Sequence, residues 1–214
     1  KNKICMVGLA SGLVLGNLGF THCCIEDIGS LRSIPNISIV VPSDPFELFK
    51  VLHEAINYKD SVYIRLTAGS NTKIINNKDY KFKIGKAVEI LPGKDVAIVG
   101  CGNILGNCIE ATSILRKKNI QCSVVNMHTI KPIDDKKIKS LAKENKLIVT
   151  VEEHNVIGGL GTSVAEVLAS ERNNCKLVRI GVNDFYSSGG SYEYLKDIYG
   201  LSVEKIIKTV ISNL

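Results

Sequence analysis

No apolar run in this sequence approaches the roughly 18 residues that a membrane-spanning helix requires. Stretches such as Ile37 to Val41 and Val96 to Val99 are short, so a soluble protein with no membrane partner is expected. An initiator methionine is also lacking. The chain begins Lys-Asn-Lys, and its first apolar stretch is broken by Gly8, Gly12, Gly16 and Gly19. That pattern does not read as a signal peptide, and a missing upstream segment is the expectation. No C-x-x-C pair occurs among the seven cysteines, and the adjacent Cys23 and Cys24 fit no familiar metal spacing. Reduced thiols in a cytoplasmic protein are therefore expected rather than disulfides or zinc. A concentrated basic patch is absent too. The net charge of +6 is spread, with 8 basic and 7 acidic residues in 1–80 and 19 and 14 in 81–214. Lys alternates with Asp and Glu between Asp134 and Lys146, as on a solvated helix face, which argues against a nucleic-acid partner.

What is present is the composition of a globular protein, 45% apolar and 22% charged over 214 residues, enough for one large or two small cores. Strand-like runs alternate with segments of helical period, the pattern of an α/β fold in which parallel sheets carry helices on both faces. Strands are expected at Ile4 to Val7, Ile37 to Val41 and Val62 to Leu66. A helix should start at Asp44 as N-cap with Pro45 in its first turn and run to about Tyr58. Residues 67–93, rich in Gly, Asn, Lys and Pro, read as a linker with a short strand near Lys83 to Ile90. The domain division is placed there, giving 1–80 and 81–214. Beyond it, strands are expected at Asp95 to Val99, Cys122 to Asn126, Leu147 to Glu152 and Leu177 to Ile180. Helices at about 105–118, 134–144 and 160–172 separate them. The first part has too few strands for its helix to cover, so it reads as a truncated domain with an exposed apolar edge.

Several motifs carry possible chemistry. Gly100-Cys101-Gly102-Asn103-Ile104-Leu105-Gly106 follows a strand, but it lacks dinucleotide-binding spacing and a downstream acidic residue, so it reads as a tight turn. Gly158-Gly159-Leu160-Gly161 opens a helix and either receives an anion on its N–H groups or permits close packing. Glu152-Glu153-His154 at a strand exit suits a site or ordinary loop chemistry, while His53 and His128 read as structural. The run from Gly19 to Ile28 is the most informative. It presents His22 and the carboxylates Glu26 and Asp27 before a helical Leu31-Arg32 segment, with Thr21 as a possible helix cap.

Gly19 to Asp44, reading G-F-T-H-C-C-I-E-D-I-G-S-L-R-S-I-P-N-I-S-I-V-V-P-S-D, resembles the signature run of transketolases. Further matches follow in family order at Ile84 to Gly102, Lys131 to Asp134, Val151 to Gly161 and Gly181 to Gly190. The closing G-V-N-D-F is most similar to the split transketolases, in which separate chains carry the two halves of the enzyme. The resemblance implies the end of a pyrimidine-binding domain followed by a smaller three-layer C-terminal domain. It implies a homodimer using thiamine diphosphate to transfer a two-carbon ketol unit between sugar phosphates. His22 would then face the substrate channel and handle hydroxyl protons, Arg65 would hold the substrate phosphate, and Ser11 would lie near the same channel. The family's catalytic glutamate would fall upstream of residue 1, and the metal and diphosphate ligands on a partner chain. No cofactor-binding or metal-binding residue is therefore assigned here, and no turnover is expected from this chain alone. Two departures stand out: Leu18 replaces an Asp that contacts a donor hydroxyl, and Ala10 replaces a His. A non-catalytic assembly module and the β chain of a 2-oxo acid dehydrogenase remain as alternatives.

Overall fold

In a computed structural model, residues 2–67, 75, 80–170, 172, 175–186 and 188–214 are described. The expected linker falls partly outside them, at 68–74 and 76–79. The described residues form two sheets. The first contains β1 (Cys5–Gly8), β2 (Ile37–Val40), β3 (Ser61–Arg65) and, from the distant second half, β7 (Thr129–Lys131). Their order is β1-β3-β2-β7, with β1 and β2 parallel to β3 and β7 antiparallel to β2. The second contains β4 (Val88–Leu91), β5 (Val96–Gly100), β6 (Cys122–Asn126), β8 (Leu147–Asn155) and β9 (Lys176–Val182) in the order β4-β6-β5-β8-β9. Only β4 runs antiparallel there.

The parallel centre follows from the continuous apolar runs. β5 and β6 are buried at every position, as strands covered on both faces must be. Alternate residues face opposite sides. Val96, Ile98, Val149 and Val151 pack with α3 (Leu105–Lys117), α6 (Tyr192–Ile198) and α7 (Val203–Ile211). Ala97, Val99 and Ile148 pack with α4 (Asp135–Glu144) and α5 (Leu160–Ala169). Both layers reach into the first half of the chain. Leu13, Cys23 and Ile25 belong to the first cluster, and Ile28, Ile37, Ile39 and Tyr63 to the second. At about 1.5–3 kcal/mol for each fully buried large aliphatic side chain, this shared core holds the two sheets together.

The helix α2 (Pro45–Asn57) starts as its sequence dictates: Asp44 accepts the Glu47 N–H at 2.8 Å and Pro45 occupies the first turn. Its inner face buries Val51 and Ala55 against β2 and β3. Its outer face leaves Phe46, Phe49 and Ile56 exposed, and Ile4, Val7 and Leu9 are exposed on and beside β1. His53 lies on the outer face with Phe49 against its ring, whereas His128 is buried with its ring 4.2 Å from that of Phe82.

Three features depart from the sequence reading. The strand β7 is too short for any periodicity to reveal, and it completes the first sheet from beyond the expected division at residue 80. Thr21 does not cap α1 (Asp27–Arg32). It lies in a 3-10 turn, Phe20–His22, and the residue before α1 is Glu26, whose side chain makes no capping bond. The helices α6 and α7 lie beyond the last expected strand, although Ser191 and Ser202 cap them by accepting the N–H groups of Tyr194 and Lys205.

Candidate functional site

The carboxyl ends of parallel strands are where α/β folds gather polar groups from different elements. The ends of β3 and β8 meet in this way beneath the glycine-rich segment 8–22. Tyr63 and Arg65, two residues apart on β3, share one face. Arg65 is 2% exposed. Its Nε donates to Asp27 Oδ1 and Oδ2 at 3.0 and 2.8 Å, and its Nη2 donates to the carbonyls of Cys24 and Glu153, both at 3.0 Å. The Tyr63 hydroxyl donates to Asp27 Oδ2 at 2.8 Å, and Ser11 is buried beside β3. The Ser11 N–H donates to the Leu66 carbonyl at 3.0 Å. Tyr63, Asp27 and Arg65 thus form one bonded chain, with Ser11 tied by its backbone to the residue after Arg65. Burial by itself would raise the Asp27 carboxyl. The Arg65 charge and the bonds from Arg65 and Tyr63 outweigh it and hold the group below the usual carboxylate range.

Three consecutive residues of β8 add to this cluster. Glu152 is fully buried, and its two oxygens accept the N–H groups of Leu160 and Gly161 at 2.6 and 2.7 Å. The group received at the N-terminus of α5 is therefore the chain's own carboxyl. The close packing is real as well, since a Cβ on Gly159 would lie 1.9 Å from Glu152 Oε2. Burial, only partly offset by those N–H groups, pushes Glu152 up to about 7. Glu153 accepts the Leu13 N–H and the Tyr192 hydroxyl, each at 2.8 Å, and burial raises it too. His154 is buried. Its Nδ1 donates to the Asn155 carbonyl at 2.7 Å, and its Nε2 accepts the Gly29 N–H at 3.3 Å. Burial and the Arg65 charge bring it down to about 4, so it is a neutral bridge between the two halves.

His22 is placed differently. It is exposed on the 3-10 turn, with Nδ1 3.0 Å from Thr21 Oγ1, leaving Nε2 as the ring atom that can meet a ligand. Around it are the exposed side chains of Leu18 and Phe20. Phe20 packs on Tyr186 at 5.1 Å between ring centroids, and the Gly190 N–H donates to the Gly16 carbonyl at 2.9 Å. The G-V-N-D-F loop and the T-H segment, far apart in sequence, form one rim. Ala10, the other departure, takes a left-handed φ of 57° at the start of the segment.

Of the three expected site residues, Ser11 and Arg65 are brought together at the end of β3, where the Ser11 N–H bonds the Leu66 carbonyl, while His22 stands apart on the rim. The expectation that Arg65 offers its guanidinium to a phosphate does not match this arrangement, because a side chain 2% exposed and committed to Asp27 and two carbonyls is not presented to a ligand. Tyr63, Asp27, Glu153 and Tyr192 were missed as a network. The spacing of Tyr63 and Arg65 on one strand face was a usable signal for the first pair. Nothing local marks Tyr192, which reaches Glu153 only through the fold.

Comparison with known proteins gives the context. Residues 1–72 match the family model described as transketolase, pyrimidine binding domain, and residues 85–206 match transketolase, C-terminal domain. A Methanocaldococcus jannaschii protein described as a transketolase C-terminal section is 37% identical over 216 residues, covering 100% of this chain and 67% of that protein. One of the apulose-4-phosphate transketolase subunits of Phocaeicola vulgatus is 35% identical over 211 residues, covering 99% of this chain and 67% of that protein. The solved structure of a split gene transketolase, an inactive β4 tetramer, superposes with a TM-score of 0.88 at 32% identity, covering 97% of this chain and 66% of that one. The chain thus spans about two thirds of the length of these relatives. On these matches, and on motifs that the fold draws into one rim, the chain belongs to the transketolase family.

Proposed function

We propose that this chain is the C-terminal component of a split, thiamine diphosphate-dependent transketolase that moves a two-carbon ketol unit between sugar phosphates. In this reading residues 1–80 are part of the pyrimidine-binding domain and 81–214 the C-terminal domain. The working enzyme is a cytoplasmic homodimeric assembly with a diphosphate-binding partner chain. The observation that carries it is the placement of His22, an exposed imidazole on a glycine-rich segment whose start is tied to the buried cluster at the ends of β3 and β8. Its Nε2 is free to exchange a proton or hydrogen bond with a sugar hydroxyl. Ser11, Tyr63, Asp27 and Arg65 keep that cluster rigid and polar.

Among the described residues, the two groups suited to the cofactor's diphosphate, the α5 N-terminus and Arg65, do not fit it. The glycine-rich N-terminus of α5 is filled by Glu152, and Arg65 is held by Asp27. The diphosphate and its Mg2+ are accordingly assigned to the partner chain. Leu18 on the rim offers no acceptor for a substrate hydroxyl, so the sugar accepted carries one polar contact fewer on that side. The test is to mix the full-length chain with its diphosphate-binding partner, thiamine diphosphate and Mg2+, and to assay ketol transfer across sugar phosphates. Turnover that needs both chains and falls in His22→Ala supports the reading. Inactivity with every sugar phosphate refutes it.

A further inference from the structure

The exit of β8 grips the first half of the chain through four bonds made by three successive residues. The Glu153 carboxylate accepts the Leu13 N–H, the Glu153 carbonyl accepts Arg65 Nη2, His154 Nε2 accepts the Gly29 N–H, and the Asn155 N–H donates to the Ile25 carbonyl at 2.7 Å. Residues 11–29, which hold Ser11, His22 and Asp27, are therefore referenced to a strand of the second sheet. Among the β8 groups in these contacts, the Glu153 carboxylate is the charged side chain. It is 3% exposed and bonds through both oxygens, Oε1 to Leu13 and Oε2 to Tyr192. The segment is shaped around it. Gly12 has a φ of +79°, and a Cβ there would stand 2.6 Å from Glu153 Oε1, so the backbone passes where only glycine fits.

We propose that Glu153 is a positioning residue, a buried carboxylate of the C-terminal half that fixes the glycine-rich segment carrying His22. It does not touch substrate. Leu13 lies nine residues before His22, and the Gly16 carbonyl between them is tied to Gly190. The segment is thus pinned at Leu13 and Gly16, and His22 is presented from the far side of those pins. Tyr192, with Asn103 Nδ2 3.4 Å from its hydroxyl and Lys196 over its ring at 4.5 Å, holds the carboxylate from behind. In this arrangement the second sheet serves the site by setting where the rim stands.

The test is residue-resolved amide exchange on the full-length chain. Glu153→Ala removes a charge-assisted bond to a buried N–H. Exchange at Leu13 should rise about 10- to 100-fold relative to the core amide of Ile98. Glu153→Gln keeps an oxygen for Leu13 and should recover most of the protection. Equal acceleration at Leu13 and Ile98, or none at Leu13, overturns the proposal. If Glu153→Ala does not fold, Tyr192→Phe frees only Oε2 and should raise Leu13 exchange by roughly threefold, with an unchanged rate overturning it. A second arm rests on the transketolase reading. In the assembled enzyme, kcat should fall in Glu153→Ala and return in Glu153→Gln with cofactor affinity unchanged, and a kcat unaltered in Glu153→Ala counts against the proposal. An inactive wild-type assembly combined with fast Leu13 exchange in Glu153→Ala would sink the reading and leave the positioning role standing.

Discussion

Replacing Asp27 by alanine isolates the electrostatics of the cluster. The substitution removes both acceptors of Arg65 Nε and the acceptor of the Tyr63 hydroxyl, while Arg65 stays 2% exposed with only the Cys24 and Glu153 carbonyls. Breaking a buried pair from one side leaves an uncompensated charge, at a cost of about 3–5 kcal/mol. For a chain of this size each kcal/mol moves Tm by roughly 2–4 °C, so a fall of about 10 °C is expected by calorimetry, with a matching shift of the urea midpoint. The double variant Asp27→Ala/Arg65→Met removes the stranded charge as well, and it should be more stable than Asp27→Ala alone. An Asp27→Ala cost below about 1 kcal/mol, the range of exposed pairs, would refute the buried pair. A double variant no better than the sum of its singles would refute the coupling.

The remaining expectations concern protons and kinetics. His154, brought down to about 4 in the fold from an ordinary value near 6.5, contributes stability that is complete above pH 6.5. That contribution is lost as pH falls toward 4, amounting to about 3 kcal/mol, and His154→Gln should flatten the urea-measured slope over that window. Glu152 acts with the opposite sign. Raised to about 7, it favours the fold fully below about pH 4.5, and its contribution is lost as pH rises through 7. Glu152→Gln should remove that slope whatever its offset in absolute stability. In the assembled enzyme, His22→Ala should raise KM for phosphorylated donors by about tenfold, the worth of one hydrogen bond, and leave Tm unchanged. Arg65→Ala should instead lower Tm by several degrees. A kinetic effect for Arg65→Ala without loss of stability would return that residue to the substrate.

Much of the fold was legible because strands buried on both faces leave short continuous apolar runs, which their length and flanking turn residues assign to strands rather than buried helix. Val96–Gly100 and Cys122–Val125 are apolar or small and bounded by turn residues, and Asp44-Pro45 spells out a helix start. The closing helix α7 was legible too, in the Ser202 cap and the spacing of Val203, Ile206, Ile207 and Val210, though the sequence reading stops before it. The strand β7 had no such mark. Three residues cannot show a period, and their pairing with Ile39 and Val40 joins positions about 90 apart. Within the site, the T-H motif and the G-V-N-D-F loop were each visible, but their meeting at Phe20 and Tyr186 was not.

The sequence by itself determined the layered parallel architecture, the family, and the short list from which a site had to be drawn, since these rest on local period, capping chemistry and motif order. The tertiary structure decided what each charged residue does. Arg65 and His22 are both polar groups in matching motifs, yet the fold buries one beside Asp27 and leaves the other exposed on a turn. Glu152, Glu153 and His154 likewise read as one polar run. Only the fold gives the first to a helix N-terminus, the second to Leu13 and Tyr192, and the third to Gly29. The physical reason is desolvation: the role of an ionisable group depends on which partners remain once water is removed, and those partners come from elements far away in the chain.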